Sequence, residues 1–385
     1  MPTPQAEAMN ANGEAERFIQ PGCAAQATTA GAVKDRRPAT IPIQNARSSV
    51  TPELMLLAAD IGGTKTDLAV FSRKDGPHSP LVQAEVHSAD YPTLQALAAE
   101  FLSKVDIAVE RACFDVPGPV INGHAKVTNL PWTMDEASLA SDLNLKSVRL
   151  LNDLEAVARA VPILRPTDVT TLNAGQPVLN GAIGIVAPGT GLGESFLTWD
   201  GSKYVSHSSE GGHSDFAPRD ERQIGLLRYM MERFDHVGIE RVCSGIGVPN
   251  IYEYLRDIEQ IPESPQTSQF IAASKDRTAA IVTSAADPQN PCELCAATVD
   301  TFISILASEA ANLALKVFAT GGIYLGGGIP LHILSALQGP RFMECFTRKG
   351  RFAEMMKQIP VHVILTHAAL VGAAAYGLES FKEES

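Results

Sequence analysis

The stretch from residue 54 to residue 71 reads LMLLAADIGGTKTDLAVF and consists of two apolar runs joined by a tight turn. Each run has the length and apolar content of a buried β-strand, and the Gly62-Gly63 pair favours a hairpin between them. Further strands are predicted at residues 82–86, 107–114 and 148–151, with a helix at residues 93–102. Strands that alternate with helices in this way indicate an α/β architecture.

The length of the chain predicts two domains, because 385 residues exceed the roughly 250 to 300 beyond which a single core seldom grows. A strand at residues 184–186 opens a second half that starts like the first, and the proline-rich residues 162–166 mark the boundary. We therefore predict a small domain at residues 51–163 and a large domain at residues 164–364. A helix rich in small residues, within about residues 365–385, is expected to pack back on the small domain.

The composition indicates a small-molecule partner. A formal net charge of −12 and a pI near 5.2 repel phosphate backbones, and no basic patch is evident, so no nucleic-acid partner is expected. No uninterrupted apolar run approaches the roughly 18 residues that would span a bilayer, so no membrane partner is expected. Residues 1–50 lack a sustained apolar period and a secretory pattern, which predicts a disordered extension and a cytoplasmic protein.

The six cysteines are too dispersed to form the disulfide framework of a small secreted domain, and we interpret them as reduced thiols. Cys292 and Cys295 form a Cys-x-x-Cys pair. A structural zinc site normally has four ligands, and no second cysteine pair lies nearby in the sequence. A buried helix face is therefore the preferred interpretation of this pair.

The turn between the first two strands is a candidate phosphate loop. The glycines Gly62 and Gly63 let the backbone approach a ligand closely, and their N–H groups and the Thr64 hydroxyl can cradle phosphate oxygens. Asp60 can hold Mg²⁺ through a water molecule. A plain Gly-Gly hairpin explains the same residues, and the turn taken alone does not decide between the two readings.

Two later turns have a similar character. Gly189, Thr190 and Gly191 follow an apolar strand and again combine glycines with a hydroxyl. Gly327 and Gly328 follow an apolar strand at residues 323–325 and leave room for a ribose or a flat ring, although a helix-entry turn would look the same. Because the Walker A spacing and the Rossmann fingerprint are both missing, we favour a nucleotide held between the two halves of the chain.

Candidate sugar-binding residues follow in both halves. Asn152 and Asp153 lie at the end of the strand at residues 148–151, the edge at which α/β sheets usually bind ligands. An aspartate there can cap a helix or act as a general base on a hydroxyl that attacks a phosphate. Glu210 and His213 flank a Gly-Gly bend, and Glu240 lies further on, where capping is again the alternative. Such groups can bind vicinal sugar hydroxyls.

Taken together and in this order, these stretches resemble the bacterial glucokinase family, within the hexokinase, acetate kinase, Hsp70 and actin superfamily, over about residues 54–380. The phosphate motifs of that family are similar to DIGGT at 60–64 and GTGLG at 189–193, and its adenosine motif is similar to GIYLGGGI at 322–329. Its catalytic segment is similar to LLNDLEAVA at 150–158. Its substrate loop and sugar-binding segment are similar to TNLPW at 128–132, EGGHSDFAP at 210–218 and ERVCSG at 240–245.

The resemblance implies a two-domain actin-like ATPase (ribonuclease H-like) fold with a cleft between the domains. It implies phosphorylation of the glucose 6-hydroxyl by ATP and Mg²⁺, with Asp153 as the base. The glucose contacts that it implies are Asn129, Asn152, Asp153, Glu210, His213 and Glu240. The ATP contacts that it implies are Asp60, Gly62, Gly63, Thr64, Lys65, Gly189, Thr190, Gly191, Gly327 and Gly328.

Two features depart from the family, namely the N-terminal extension and Lys65, where close relatives carry Asn. The alternatives that stay open are a kinase for another hexose, such as mannose, fructose or glucosamine, and a sugar-sensing regulator without catalysis. The regulator is disfavoured because residues 1–50 show no helix-turn-helix and the predicted base is intact. The sequence leaves the choice between ATP and polyphosphate open, and a homodimer is the expected assembly.

Overall fold

Two β-sheets with helices packed on them organise the part of the chain that the computed structural model describes, residues 55–127 and 130–380. The strands of the first half are β1 (Met55–Ile61), β2 (Lys65–Ser72), β3 (Val82–His87), β4 (Arg111–Val116), β5 (His124–Lys126), β6 (Thr133–Asp135) and β7 (Ser147–Asn152). Five of them form a sheet in the order β3-β2-β1-β4-β7, and β5 pairs with β6 in a separate ribbon. The helices of this half are α1 (Leu94–Ser103), α2 (Glu136–Asp142) and α3 (Asp153–Ala160).

The second sheet has six strands in the order β11-β10-β9-β12-β13-β8. Their bounds are β8 (Val169–Asn173), β9 (Ile183–Pro188), β10 (Leu192–Trp199), β11 (Tyr204–Ser209), β12 (Gly322–Leu325) and β13 (Val361–Ile364). Each sheet contains three antiparallel strands in a row, β3-β2-β1 in the first and β11-β10-β9 in the second. The next strand runs parallel to the last of these three, since β4 is parallel to β1 and β12 is parallel to β9. The two halves therefore share one strand arrangement, as their similar openings in the sequence predict.

Ten further α-helices lie within the described residues of the second half and the C-terminal segment. They are α4 (Glu221–Met231), α5 (Gly247–Asp257), α6 (Pro265–Ala273), α7 (Arg277–Ala286), α8 (Glu293–Val317), α9 (Gly328–His332), α10 (Leu334–Leu337), α11 (Pro340–Thr347), α12 (Ala353–Gln358) and α13 (Ala368–Ser380). The larger hydrophobic core is built around α8, whose side chains Phe302, Leu306 and Ala310 are almost fully buried. This core also contains Val186, Ile323 and Val361 of the second sheet, so it packs against one face of that sheet.

The length and composition of α8 would let it cross a membrane, but 83% of its most apolar window is buried inside the protein. It is the one such helix among the residues described. Burial of this kind is typical of the central helix of a protein core. Cys292 and Cys295, at the start of α8, are likewise buried and unoxidised, and the Cys292 sulfur accepts a hydrogen bond from Cys295 N.

The C-terminal helix α13 returns to the first sheet. Its small side chains, including Ala369 and Ala373, pack in one buried cluster with Leu56 of β1 and Cys113 of β4. Small residues allow the helix backbone to approach the sheet closely.

The division into two domains stays a prediction, and the N-terminal extension at residues 1–50 lies outside the described residues.

One predicted strand starts in the wrong place. The sequence predicts a strand at residues 107–114, but β4 begins at Arg111. The apolar alternation of Ile107 and Val109 reflects packing of an irregular segment against the core of the first half, without ladder pairing. Alternation reports which side chains are buried, and an extended segment outside a sheet can produce the same pattern.

Candidate active site

Hydrogen bonds from the turn itself and from Ser88 fix the first glycine-rich turn. Gly62 N donates to Lys65 O at 2.8 Å, which closes the predicted hairpin. The Ser88 hydroxyl donates to Gly62 O at 2.8 Å and lies 2.9 Å from the Thr66 hydroxyl, and Ser88 N donates to Thr64 O at 3.0 Å. Ser88 therefore holds the loop from the end of β3, a role that no local motif predicted.

Lys65 opens β2 at the far side of this turn. Its Nζ lies 2.6 Å from Glu85 Oε1 on the neighbouring strand β3, and both side chains are exposed. The hydrogen bond to Glu85 raises the pKa of Lys65. The contact of Lys65 with a phosphate, which the sequence left in doubt, stays a prediction.

Three aspartates lie side by side across the first sheet, next to the turn. Asp60 on β1 is the cross-strand partner of both Asp67 on β2 and Asp115 on β4, so the three carboxyls share one face of the sheet. Burial raises the pKa of Asp60 and raises the pKa of the fully buried Asp115 well above its usual range. His367 Nδ1 lies 3.1 Å from Asp67 Oδ2, and this contact raises the pKa of the imidazole.

The residues around Asp60 fit a divalent cation. Asp60, Asp67 and His367 offer ligand atoms within 4.8 Å of one another, and the buried Asp115 carboxyl shares a hydrogen bond with Asp60 beside them. Closely spaced carboxylates of this kind are the ligands that divalent cations prefer. The predicted Mg²⁺ position at Asp60 is chemically reasonable on this ground.

The predicted catalytic pair, Asn152 and Asp153, lies at the start of α3, where β7 ends. Asn152 is the helix N-cap, and its side-chain oxygen accepts hydrogen bonds from Leu154 N at 3.0 Å and Glu155 N at 3.2 Å. Asp153 is the first residue of the helix. The N-capping role, which was one of the two readings of Asp153 from the sequence, therefore belongs to Asn152 instead. Burial raises the pKa of Asp153 to about 6, although hydrogen bonds from Leu154 N and the Asn152 amide act against this rise.

The second glycine-rich turn packs against that helix. The Leu154 side chain lies so close to Gly193 that a Cβ on this glycine would be 3.1 Å from Leu154 Cδ2. Gly245 N donates to Gly189 O at 2.7 Å, which ties the loop to the segment before α5. Gly327 has φ +78° and approaches the end of β9 so closely that a Cβ would lie 2.5 Å from Pro188 O, which explains why glycine occupies this position.

A cavity of about 1250 Å³ opens beside the second loop. Gly189, Thr190 and Gly328 line it, so the structure brings the predicted second phosphate motif and adenosine motif together. Gly245, the last residue of the ERVCSG segment, also lines it, and residues that no sequence motif selected complete the lining, among them Lys275, Thr278 and His332. Among the described residues, those of the first glycine-rich turn are not part of this lining.

A second cavity, of about 250 Å³, joins His213 and Glu240. Phe234, His236 and Arg241 also line it. Glu210 lies beside it, with an oxygen 3.8 Å from His213 Nε2, and the side chains of this pair are 90% and 67% exposed. Three of the predicted sugar ligands are therefore close together on one surface, in a position to be covered by a ligand. Asn129 lies outside the described residues.

Two glutamates connect the predicted sugar-binding residues with the second loop. Glu240 Oε2 accepts a hydrogen bond from Leu192 N at 3.0 Å, at the end of the loop. Glu194 on β10 is buried behind Gly211, where a Cβ would overlap its carboxylate, and it is the cross-strand partner of Ser209. Burial, followed by the charge of Glu309, raises the pKa of Glu194 to about 7. Glu194 was not predicted, because its importance depends on the strand register.

Comparison with known proteins places this site in a family. The glucokinase family model matches residues 57–380. The chain belongs to the glucokinase family. It is 40% identical to the glucokinase of Nostoc punctiforme over 336 residues, which cover 83% of this chain and 98% of the relative. It is 36% identical to the glucokinase of Synechocystis over 347 residues, covering 84% and 98%.

Solved structures agree with this assignment. A glucokinase from an Antarctic psychrotroph has a TM-score of 0.72 and 31% identity and covers 84% of this chain and 99% of its own. A ROK family glucokinase from Streptomyces griseus has a TM-score of 0.55 at 17% identity, which reports the fold alone. The predicted α/β, actin-like ATPase fold is confirmed, and membership of the glucokinase family makes the chain a hexose kinase.

Proposed function

We propose that the protein transfers the γ-phosphoryl group of ATP to the 6-hydroxyl of glucose, with Asp153 as the general base. The observation that carries this proposal is the half-buried Asp153 carboxyl at the start of α3, next to the second glycine-rich loop. The relatives at 36–40% identity are glucokinases, which supports glucose as the substrate. The Streptomyces griseus structure is a complex with glucose and AMPPNP, which supports a nucleotide donor.

The nucleotide would occupy the 1250 Å³ cavity. Gly328 and His332 line the part we assign to the adenosine, and Gly189 and Thr190 line the part we assign to the phosphates. Backbone N–H groups of a glycine-rich loop stabilise phosphate oxygens and the charge that develops on the transferred group. Mg²⁺, when bound near Asp60, would supply positive charge beside these oxygens. The first loop would then close on the phosphates from the other half of the chain.

The sugar would bind at Glu210, His213 and Glu240, with Asn152 and Asp153 on the opposite side. Asp153 takes the proton of the 6-hydroxyl as the sugar oxygen forms its bond to phosphorus, and the bond between the γ-phosphorus and its bridging oxygen breaks. With a pKa of about 6, the carboxylate is ionised at neutral pH and still basic enough to accept this proton. We expect the two halves to close only around the sugar, and the exposure of Glu210 and His213 supports this expectation.

The test is a pair of substitutions at Asp153, assayed by coupled ADP release and by glucose binding. Asp153→Asn and Asp153→Ala are expected to lower kcat by about 10² to 10⁴ while glucose still binds. Glu155→Gln, two residues along the same helix, is the matched control. Near wild-type turnover in both Asp153 variants would show that the base is another group.

Substrate and donor are tested separately. We expect glucose to be preferred over mannose, fructose and glucosamine, and ATP over polyphosphate, in the same assay. If another hexose has a higher kcat/KM than glucose, that hexose is the substrate instead. If no sugar gives ADP release, the sensory alternative is favoured. A cytoplasmic location and a homodimer also stay predictions, which fractionation and light scattering would test.

A further inference from the structure

A buried glutamate lies against the turn that carries two of the proposed sugar ligands. This sugar turn consists of residues 210–213 and follows directly on β11. Glu194 is the third residue of β10, just after the second glycine-rich loop, and it is 2% exposed. Its cross-strand partner is Ser209, the last residue of β11. Glu194 therefore lies where the sugar turn begins.

The Glu194 carboxylate fills the space that a side chain at residue 211 would occupy. A Cβ on Gly211 would overlap Glu194 Oε2 and would lie 2.8 Å from Glu194 Cδ. Gly211 is not among the glycines with positive φ, so its backbone conformation would accept an alanine. The contact with Glu194, rather than the backbone conformation, therefore explains why glycine occupies this position.

The rest of the turn is held against the same strand. A Cβ on Gly212 would overlap Leu192 O, two residues before Glu194. Glu240, a further proposed sugar ligand, accepts a hydrogen bond from Leu192 N at 3.0 Å. The first three residues of β10 therefore support both the sugar turn and Glu240. These residues continue directly from the loop that we assign to the phosphates.

The surroundings of Glu194 favour its uncharged form. Its Oε1 has no hydrogen-bond partner within residues 55–127 and 130–380. The charged groups that act on it, Glu309 and Lys316, both lie on α8, and the effect of Glu309 is the larger. Cys243, three residues after Glu240, is a fully buried thiol, and burial, Glu309 and Glu194 all raise its pKa. A carboxyl group that is buried and faces another carboxylate keeps its proton more readily than one in water.

We propose that Glu194 is a positioning residue for the sugar, whose carboxyl group holds the sugar turn in place against β10 beside the second glycine-rich loop. It acts through Gly211 and does not touch the sugar itself. The inference rests on the proposed sugar site at Glu210 and His213. Loss of the carboxyl proton would leave an unpaired charge in this contact, which would draw the carboxylate towards water and displace the turn.

This role predicts that the kinetic constants respond differently. Glu194→Ala leaves a space next to Gly211, so the turn can move and its ligands are misplaced. A displacement of about 1 Å in groups that position a substrate can cost up to about 100-fold, and we expect the KM for the sugar to rise roughly tenfold. The KM for ATP should change little, because neither Glu194 nor the sugar turn lines the nucleotide cavity.

The decisive experiment is a double-mutant cycle between Glu194 and Gly211 in the full-length protein, followed by coupled ADP release. It uses the hexose with the highest kcat/KM and therefore does not presuppose glucose. Gly211→Ala alone places a methyl group on the carboxylate and should raise the KM for the sugar roughly tenfold or more. Combined with Glu194→Ala, the same methyl group fills the vacated space, 3.1 Å from Ser209 Oγ. The double variant should then have a lower KM for the sugar than either single variant.

Two further variants make the test specific. Glu194→Gln keeps the size of the side chain and cannot ionise, so its KM for the sugar should be the same at pH 6 and pH 8, whereas that of the wild type should rise at pH 8. Gly225→Ala is the matched control, because its Cβ would overlap the Tyr254 hydroxyl between α4 and α5. It should leave the KM for the sugar unchanged.

Circular dichroism and the thermal midpoint establish that each variant is folded. If Gly211→Ala is not, Glu194→Ala and Glu194→Gln decide through the KM for the sugar and its pH dependence. A wild-type KM in Glu194→Ala, or additive effects in the cycle, would overturn the proposal. So would an equal rise in the KM of both substrates, which would indicate a general loosening of the fold.

The proposed sugar site is tested separately through Glu210→Gln and His213→Ala. If these variants raise the KM for the sugar while Glu194→Ala does not, the sugar site stands and only the positioning role fails. If they leave that KM unchanged, the sugar site itself is wrong and the positioning role is wrong with it.

Discussion

Replacing Glu194 with glutamine should remove a pH-dependent loss of stability. Glu194 is 2% exposed, and one of its carboxylate oxygens has no hydrogen-bond partner among the described residues. The charged groups that face it are Glu309 and, more weakly, Lys316, both on α8. Burial therefore opposes ionisation of Glu194, and the larger of the two charge effects, that of Glu309, opposes it further.

The magnitude follows from the pKa. Burial and Glu309 raise the pKa of Glu194 from 4.5 to about 7. Because a tenfold change in proton affinity is worth about 1.4 kcal/mol, ionisation in the folded state costs roughly 3 kcal/mol more than in the unfolded chain. Below pH 4.5 the carboxyl is protonated in both states and nothing is lost. Stability then falls as the pH rises through about 7, above which the whole amount is lost.

The assay is urea unfolding of the wild-type protein and of Glu194→Gln at pH 5 and pH 8. Glutamine cannot ionise, so the difference in unfolding free energy between variant and wild type should become about 2 to 3 kcal/mol more favourable to the variant at pH 8. Comparing the two pH values cancels any constant effect of the substitution. Because Glu194 supports Gly211, the KM for glucose should also rise above pH 7 in the wild type alone.

Two controls make the comparison specific. Glu354→Gln, on an 83%-exposed side chain, should leave the pH dependence of stability unchanged. Glu309→Gln removes the repelling charge and should make the pH dependence smaller without abolishing it. Equal pH dependence in the wild type and in Glu194→Gln would refute the reasoning, because it would mean that Glu194 is already paired or solvated.

Two further predictions concern the proposed base and the first glycine-rich loop. The kcat for glucose should fall about tenfold for each pH unit below about 6, since protonated Asp153 cannot accept the hydroxyl proton. This acid limb of the pH–rate profile should be absent from the residual activity of Asp153→Asn. A flat profile of the wild-type protein down to pH 5, measured in stopped assays, would contradict the prediction. Ser88→Ala should raise the KM for ATP about five- to tenfold with little change in the KM for glucose. The substitution removes the hydrogen bonds of the Ser88 hydroxyl to Gly62 O and to the Thr66 hydroxyl, which are together worth about 1 kcal/mol in net terms. Equal changes in both KM values would indicate general unfolding instead.

The glycine-rich turns and their order were predictable because each is a local pattern of backbone requirements. The hairpin at Gly62, the strand before Gly189 and the helix start at Asp153 all lie where the sequence predicts them. The predicted start of β4 was wrong by a few residues, because apolar alternation does not distinguish a strand from an extended segment that packs against the core. The sequence left a capping role for Asp153 open, and the structure gives the cap to Asn152, since either side chain can accept the hydrogen bonds of a helix N-terminus.

The sequence by itself determined the fold class, the glycine-rich turns and the candidate base, because these depend on the residues within a short window. Only the tertiary structure decided what surrounds them. Strand register places Asp115 beside Asp60 and Glu194 behind Gly211, and α13 brings His367 to Asp67. A carboxyl group has the same sequence signature in solvent and in a core. Its charge state and its partners are set by burial and by neighbours far away along the chain, which no local pattern records.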